Sequence, residues 1–285
     1  MKFIHILNFY QSTDIADLIQ LRTLESIGKA QEIARMSGVQ VDLLITGNSA
    51  DIDYAKILCK RAGLRTSPAF CTSSYSTSAY PFLHGRACPE INDVFFGPNI
   101  DNAIKNISPD DNNLYILISN ADICLRPHLY VSTQAIFSIQ GNACMVINRE
   151  TLPYDLLLED VSCAYNQRGK KHPGHDFFCL PKSLYSNLQL KSHVVGFGFV
   201  MRPVLANMLF SDLTFIELCD SRLTFHYGDD MEWKNEKWTD AIQFNKINMK
   251  SVFESLYHQR WQKIGADKQN LIKKFFTKGL IDRAL

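Results

Sequence analysis

Hydrophobic positions along the first half of the chain follow two alternating patterns. Residues 2–9 are apolar at most positions, which predicts a buried strand, and residues 14–37 carry apolar side chains every three or four positions, which predicts a helix facing a core. The same order returns with a strand predicted at 39–45 and a helix at 51–62. Strands and helices that alternate in this way indicate parallel strands joined by right-handed crossovers, and therefore an α/β fold.

The pattern becomes less regular after residue 65. Residues 66–89 change in character, and the polar, turn-rich run at 72–81 within them predicts a loop. The continuous apolar run at 114–119 predicts a strand buried on both faces. The remaining predictions are a helix at 99–107, a strand at 143–148, a basic loop at 169–174, short strands around a turn at 213–225, and amphipathic helix from about 239 to 285.

Composition narrows the class of protein. Of 285 residues, 46% are hydrophobic and 21% charged, which is an ordinary globular mixture. The formal charge of +1 shows no basic excess, so we expect no nucleic-acid partner. Eight cysteines without a Cys-x-x-Cys pair indicate reduced thiols. The N-terminal apolar run is broken by His5 and Asn8, and no stretch is long enough to span a membrane, so we expect a cytoplasmic protein.

The first candidate for chemistry is the segment Ser119–Ile123, directly after the predicted buried strand. Ligands of open α/β sheets bind outside the carboxyl ends of the strands. On extended backbone, Asn120 and Asp122 would point to the same side, where an amide and a carboxylate suit a divalent cation or a sugar hydroxyl. A turn in which Asp122 only satisfies its own backbone explains the pattern equally well.

Two further segments carry titratable side chains. In the run 171–178, a proline and a glycine predict a tight turn that places Asp176 beside aromatic residues, where a carboxylate suits a general base; capping of a turn is the alternative. His226 follows an alternating apolar run and precedes Gly228, so it is expected at a strand end. A neutral imidazole there could complete a metal shell begun by Asp122, although a lone histidine is more often structural.

Taken in order, these segments resemble nucleotide-sugar glycosyltransferases of the GT-A type. The resemblance is carried by Ile4–Phe9, Gln20–Ile27, Arg86–Phe95, Asn120-Ala121-Asp122, Ile147–Arg149, His172–Asp176 and Leu223–His226. It covers roughly residues 1–235. It implies a Rossmann-type mixed sheet flanked by helices, with a donor half at about 1–125, an acceptor half at about 126–235, and a helical C-terminal extension at 236–285.

The resemblance also implies roles for particular residues. Asp122 and His226 would hold a divalent cation, Mn²⁺ or Mg²⁺, that arrives with the nucleotide, and Asp176 would be the base of an inverting transfer. The donor would contact Asn8, Arg86, Asn120 and Arg149, and the acceptor side would include His175, Asp229 and Trp233. The expected donor is a nucleotide sugar and the expected acceptor a glycan or lipid-linked hydroxyl.

One departure keeps other functions open. Asn120 stands where the family commonly has the first acid of an Asp-x-Asp motif, so the metal would be held by less charge. A metal-dependent hydrolase or nucleotidyltransferase, and a non-catalytic sugar-nucleotide-binding relative, remain alternatives. The lysine-rich C-terminal helices could touch the inner face of a membrane, although a solvated helix face explains the lysines more simply.

Overall fold

A computed structural model describes residues 1–12, 14–73, 80–83, 88–109, 113–228 and 235–276. The strands are β1 (Lys2–Asn8), β2 (Gln40–Gly47), β3 (Ala69–Thr72), β4 (Leu114–Asn120), β5 (Cys124–Leu125), β6 (Ala143–Leu152), β7 (Lys170–Pro181), β8 (Thr214–Leu218) and β9 (Thr224–Tyr227). The α-helices are α1 (Asp14–Met36), α2 (Ser49–Arg61), α3 (Pro98–Ile107), α4 (Leu129–Gln140), α5 (Val161–Ala164), α6 (Lys182–Tyr185), α7 (Arg202–Phe210), α8 (Thr239–Arg260) and α9 (Ala266–Phe276).

The strands form one mixed sheet in the order β3-β2-β1-β4-β7-β6-β9-β5, with β8 paired to β6. The first four strands of this order are parallel, as the alternating pattern predicts. Asn8 at the end of β1 lies opposite Thr46 of β2 on one side and opposite Asn120 of β4 on the other. The carboxyl ends of three parallel strands therefore meet at one edge of the sheet.

The second half of the sheet reverses direction. β7 is antiparallel to both β4 and β6, whereas β9 is parallel to β6 and antiparallel to β5. The pairing of β4 with β7 ends at Ser119 and Phe177. Asn120, which follows Ser119, and Asp176, which precedes Phe177, therefore lie just beyond the last pair, at the same edge of the sheet. This reversal brings residues from the second half of the chain to the carboxyl end of β4.

Helical periodicity explains how α1 covers the sheet. Leu24, Ile27, Ala30 and Ala34, spaced by three or four positions, are all fully buried, as one stripe of an amphipathic helix should be. The core also contains a histidine, His5 of β1, whose ring nitrogens lie 2.8 Å from the Tyr130 hydroxyl and 2.9 Å from the Ser119 hydroxyl. Burial lowers the pKa of His5 to about 3, so this histidine is a neutral structural residue.

Most of the predicted elements are confirmed, but the loop predicted at 169–174 is wrong. Lys170 and Lys171 belong to β7 and pair with Thr151 and Glu150 of β6. Pro173 does not prevent this, because it lies where the ladder between the two strands is irregular and no regular hydrogen bond from its nitrogen is required. Pairing with a distant strand has overridden the local turn preference.

The chain divides into two compact units. The first comprises Met1–Ser74, Val94–Lys182 and Ile216–Asp230, and it contains the parallel strands and all the described site residues. The second comprises Tyr75–Asp93, Ser183–Phe215 and Met231–Leu285. Within it, the Asn245 amide bridges both backbone groups of Val194, at 2.8 and 2.9 Å. Each unit is assembled from three stretches of chain, and the predicted functional boundary at residue 236 stays a prediction.

The C-terminal helices α8 and α9 confirm the predicted helical extension. Lys263, Lys273 and Lys274 are exposed, but Lys268 is not on the solvated face, because its ammonium group donates to the carbonyl groups of Ser211 and Leu213. Within the ranges given above, no helix combines the length and hydropathy needed to cross a bilayer. None of the eight cysteines, all of which lie within the described ranges, forms a disulfide bond.

Candidate active site

The carboxyl end of β4 turns sharply rather than continuing as a strand. β4 ends at Asn120, and the Ile123 N–H donates to the Asn120 carbonyl at 3.2 Å, which closes a turn over Ala121 and Asp122. The expectation that Asn120 and Asp122 share one side of an extended strand is therefore wrong. Asp122 reaches its neighbours from the turn instead.

Asp122 is paired with His226, as the sequence hypothesis of a shared site requires. Nε2 of His226 lies 3.3 Å from Oδ2 of Asp122, and Nδ1 donates to the Gly228 carbonyl at 2.9 Å. Both ring nitrogens of His226 thus face oxygen acceptors. An imidazole in this setting is best satisfied when it carries both protons.

The pKa values of this pair move in opposite directions. Burial acts to raise the pKa of Asp122, but the hydrogen bond and charge of His226, helped by Arg149, outweigh it and leave that pKa below its ordinary value. Burial likewise acts to lower the pKa of His226, and the bond to Asp122 outweighs it, so that the pKa is raised. Each partner therefore favours the charged form of the other.

Asp176 lies at a bulge in β7. Ile147 of β6 pairs with Phe177 and Asn148 pairs with His175, so Asp176 is the extra residue between them. A bulge redirects the side chain it carries, and bulges occur often beside active sites. Oδ2 of Asp176 is 3.6 Å from Nε of Arg149 and 3.4 Å from Nδ1 of His172, and it has no hydrogen-bond partner although it is buried.

Arg149 connects the two acids. Its guanidinium is next to Asp176, and its charge also acts on Asp122 and His226. Nε of Arg149 and Oδ1 of Asp122 are buried without a hydrogen-bond partner. Buried polar groups are normally satisfied, so unpaired donors and acceptors concentrated at one place indicate a site built for a polar ligand.

The other predicted residues are placed as follows. The Asn8 amide donates to the Phe9 and Thr46 carbonyls, both at 3.3 Å, so it ties the ends of β1 and β2 together. Asn120 is partly buried beside it. His175 pairs with Glu217 of β8 at 3.0 Å. Arg86, Asp229 and Trp233 lie outside the described residues.

The donor set suits a metal that shares its coordination with a substrate. Among the residues with described positions, no group of three or more His, Cys, Asp and Glu side chains converges on one point. Asp122 is a potential ligand through Oδ1, a buried acceptor without a hydrogen-bond partner, and His226 is a second one through Nε2 only when that nitrogen is deprotonated. Mg²⁺ is commonly bound by one or two carboxylates together with substrate phosphates and water, so the residues fit a cation that binds with a diphosphate.

One contact at the site has no signal in the sequence. The ring of Tyr154, which is 38% exposed, lies so close to Gly228 that a Cβ there would be 1.9 Å from it. Gly228 also provides the carbonyl that accepts from His226. The aromatic ring thus closes the end of β9 beside the Asp122–His226 pair, through a contact between residues 74 positions apart.

Two cavities of about 370 Å³ each lie elsewhere in the first unit. One is lined in part by Lys2 and Asp42, at the opposite end of the parallel strands, and the other by Arg126, His128 and Arg222. Arg126 is held by Glu150 and by the Ala164 and Gln167 carbonyls, which makes it a structural residue. The candidate site is therefore the polar cluster at the strand ends.

Comparison with known proteins shows the fold. No family model and no curated protein sequence matches the chain. Among solved structures it is similar to S. aureus TarS 1–349 in complex with UDP-GlcNAc, with a TM-score of 0.50 and 10% identity over 94% of this chain and 78% of that chain. Its TM-score with S. aureus TarS 1–349 in complex with UDP is 0.48, with 10% identity over 94% of this chain and 77% of that chain. Its TM-score with the catalytic domain of Drosophila β1,4-galactosyltransferase 7 in complex with xylobiose is 0.43, with 8% identity over 87% of this chain and 81% of that chain. The predicted mixed α/β fold with a helical C-terminus is confirmed.

Proposed function

We propose that this chain is a glycosyltransferase that moves a sugar from a nucleoside-diphosphate donor to an acceptor hydroxyl. The fold supports this, because TarS, which shares it, was solved with UDP-GlcNAc. The observation that carries the proposal is the cluster of Asp122, His226, Arg149 and Asp176 at the carboxyl end of β4. That edge of a parallel sheet is where α/β proteins bind their ligands.

The donor side of the cluster would neutralise a diphosphate. Arg149 has an unused buried N–H, and a guanidinium pairs well with phosphate oxygens. Asp122 would hold Mn²⁺ or Mg²⁺, with His226 as a second ligand once its Nε2 is deprotonated, and the bound cation would supply positive charge against the leaving group. Asn8 and Asn120, neighbours on adjacent strands, would border the nucleotide. Arg86 is proposed as a second guanidinium for the donor.

The acceptor side would be served by Asp176. Its Oδ2 has no hydrogen-bond partner and is free to take the proton of an acceptor hydroxyl. The hydroxyl oxygen forms a bond to the anomeric carbon while the bond from that carbon to the diphosphate breaks, and the electron pair of that bond leaves with the diphosphate. One direct displacement inverts the configuration at the anomeric carbon. His175, Asp229 and Trp233 are proposed to serve the acceptor.

The acceptor is proposed to be a glycan or a lipid-linked sugar. The exposed Lys263, Lys273 and Lys274 support a peripheral contact with anionic lipid on the inner face of a membrane. A cytoplasmic location accords with a soluble nucleotide-sugar donor.

Product analysis tests the function. The intact chain is incubated with UDP-GlcNAc, Mn²⁺ and a panel of mono- and oligosaccharides, and UDP, free sugar and glycosylated product are quantified. We expect UDP in equal amount to glycosylated acceptor. Free sugar without acceptor product would instead show a hydrolase, and binding of the donor without turnover would show a non-catalytic relative. Glycerophospholipid vesicles added to the assay test the membrane contact by co-sedimentation.

A further inference from the structure

His172 has a geometry that the proposed transfer leaves unexplained. Its ring folds back over Gly174, where a Cβ would lie 2.7 Å from Cε1 of the imidazole. The Gly174 N–H donates to Nδ1 at 3.1 Å. Only glycine leaves room for this arrangement, which fixes both the orientation of the ring and the role of Nδ1 as an acceptor.

The same nitrogen faces a second acceptor. Nδ1 of His172 is 3.4 Å from Oδ2 of Asp176, the oxygen that has no hydrogen-bond partner. Nδ1 has a single lone pair, which accepts the Gly174 N–H, so no proton lies between this nitrogen and the carboxylate oxygen. Two acceptors at this separation repel weakly, and a single proton placed between them would satisfy both.

This arrangement contrasts with the pair on the other side of Arg149. His226 has both nitrogens directed at oxygen acceptors, whereas Nδ1 of His172 accepts an N–H from Gly174. Nδ1 of His172 thus faces one acceptor, Asp176, and one neutral peptide donor that an incoming proton can displace. This nitrogen is next to the residue proposed to take a proton.

We propose that His172 is a positioning residue that shares the proton which Asp176 removes from the acceptor. This rests on the proposed function. The O–H bond of the acceptor breaks, its proton goes to Oδ2 of Asp176 and is then shared with Nδ1 of His172, which releases the Gly174 N–H. Once the product has left, the proton on Nδ1 is lost to water, which reaches the His172 and Asp176 side chains because they are 23% and 16% exposed, and His172 returns to the tautomer with its proton on Nε2. The base is thereby reset for the next turnover.

The proposal makes a structural prediction that does not require activity. In the intact chain without substrate, ¹⁵N NMR of a histidine-labelled sample should show His172 as the neutral tautomer with the proton on Nε2. Gly174→Ala should disturb that signal, because the new Cβ displaces the ring. A proton on Nδ1 of neutral His172 would overturn the proposal, since that nitrogen could then accept from neither Gly174 nor Asp176.

Kinetics test the role in turnover. His172→Ala should lower kcat by about 10-fold or more with little change in the KM for UDP-GlcNAc, and imidazole in the buffer should restore part of the rate. His128→Gln, an exposed histidine outside the cluster, is the matched control and should behave like wild type. Wild-type kcat in His172→Ala, or a loss that imidazole does not relieve, overturns the relay. A wild-type chain with no turnover of any sugar nucleotide overturns the proposed function, and the relay with it.

Discussion

At the scale of single residues, the account depends on two acids that have different partners. Asp122 is tied to His226 and is kept ionised by it, whereas Oδ2 of Asp176 has only the more distant Arg149 and His172 around it. A carboxylate that is already hydrogen-bonded is a poor base, and one with an unused oxygen is a better one. This difference assigns charge binding to Asp122 and proton removal to Asp176.

Substitution of the proposed base should separate chemistry from binding. Asp176→Asn keeps the shape of the side chain and removes its ability to take a proton, so we expect kcat to fall by about 10²–10⁴-fold while the affinity for UDP-GlcNAc stays close to wild type. Steady-state kinetics and calorimetry measure the two quantities. Asp220→Asn, at an exposed acid paired with Lys171, is the control. Full turnover in Asp176→Asn would remove this residue from the mechanism.

The Asp122–His226 pair should leave a signature in stability against pH. The raised pKa of His226 means that its contribution is complete below its ordinary value of 6.5 and is lost as the pH rises through the raised value. The lowered pKa of Asp122 means that its contribution is complete above 3.8 and is lost as the pH falls through the lowered value. The pair is therefore fully stabilising between these limits.

Urea denaturation in EDTA at pH 5.5 and pH 9 measures this effect. His226→Gln should lower the free energy of unfolding by about 1.5–3 kcal/mol at pH 5.5, the range for hydrogen bonds to charged groups, and by less at pH 9. Equal losses of unfolding free energy at pH 5.5 and pH 9 would mean that the imidazole of His226 is not charged in the folded protein.

At the scale of elements, the local sequence pattern correctly predicts those helices and strands that have a regular spacing of apolar residues. The stripe of Leu24, Ile27 and Ala30 predicts α1, and the apolar run of residues 114–119 predicts β4. The local pattern fails at β7, where Pro173 and Gly174 indicate a turn but pairing with β6 forms a strand. No property of the segment itself could show that its partner lies some 20 residues earlier in the chain.

The end of β9 offers a test of an element that supports the site. Gly228→Ala places a Cβ against the Tyr154 ring at a positive φ of 75°, so it combines backbone strain of about 1–2 kcal/mol with overpacking of about 1–3 kcal/mol. Gly38 has nearly the same φ, 74°, and nothing within 4 Å, so Gly38→Ala carries the strain alone. Thermal and urea unfolding compare the two variants.

We expect Gly228→Ala to lose more stability than Gly38→Ala and to weaken donor binding, because the His226 acceptor shifts. Tyr154→Ala combined with Gly228→Ala should recover the overpacking part of the loss. If the two glycine variants lose the same free energy of unfolding, Tyr154 does not pack against the end of β9 in solution.

At the scale of the whole molecule, an α/β sheet could be predicted from alternation, but its second half could not. The order β7-β6-β9-β5 joins strands that are distant in sequence, and this order is what brings Asp176 and His226 to the end of β4. Asp122, Asp176 and His226 could be selected as candidate site residues from the sequence, because each is a titratable residue next to an apolar run. The links through Arg149 and His172, and the contact of Tyr154 with Gly228, depend on pairings that no local pattern records.

A calorimetric titration with UDP-GlcNAc and Mn²⁺ measures whether the polar cluster at the end of β4 binds a nucleoside-diphosphate sugar. We predict saturable binding to wild type, at least 10-fold weaker binding to Asp122→Asn, equivalent to about 1.4 kcal/mol, and wild-type binding to Asp220→Asn. GDP- and dTDP-sugars are titrated in the same way, so that a preference for a nucleobase other than uracil does not decide the result. Absence of binding by every sugar nucleotide, or equal affinity in Asp122→Asn and wild type, would contradict the account.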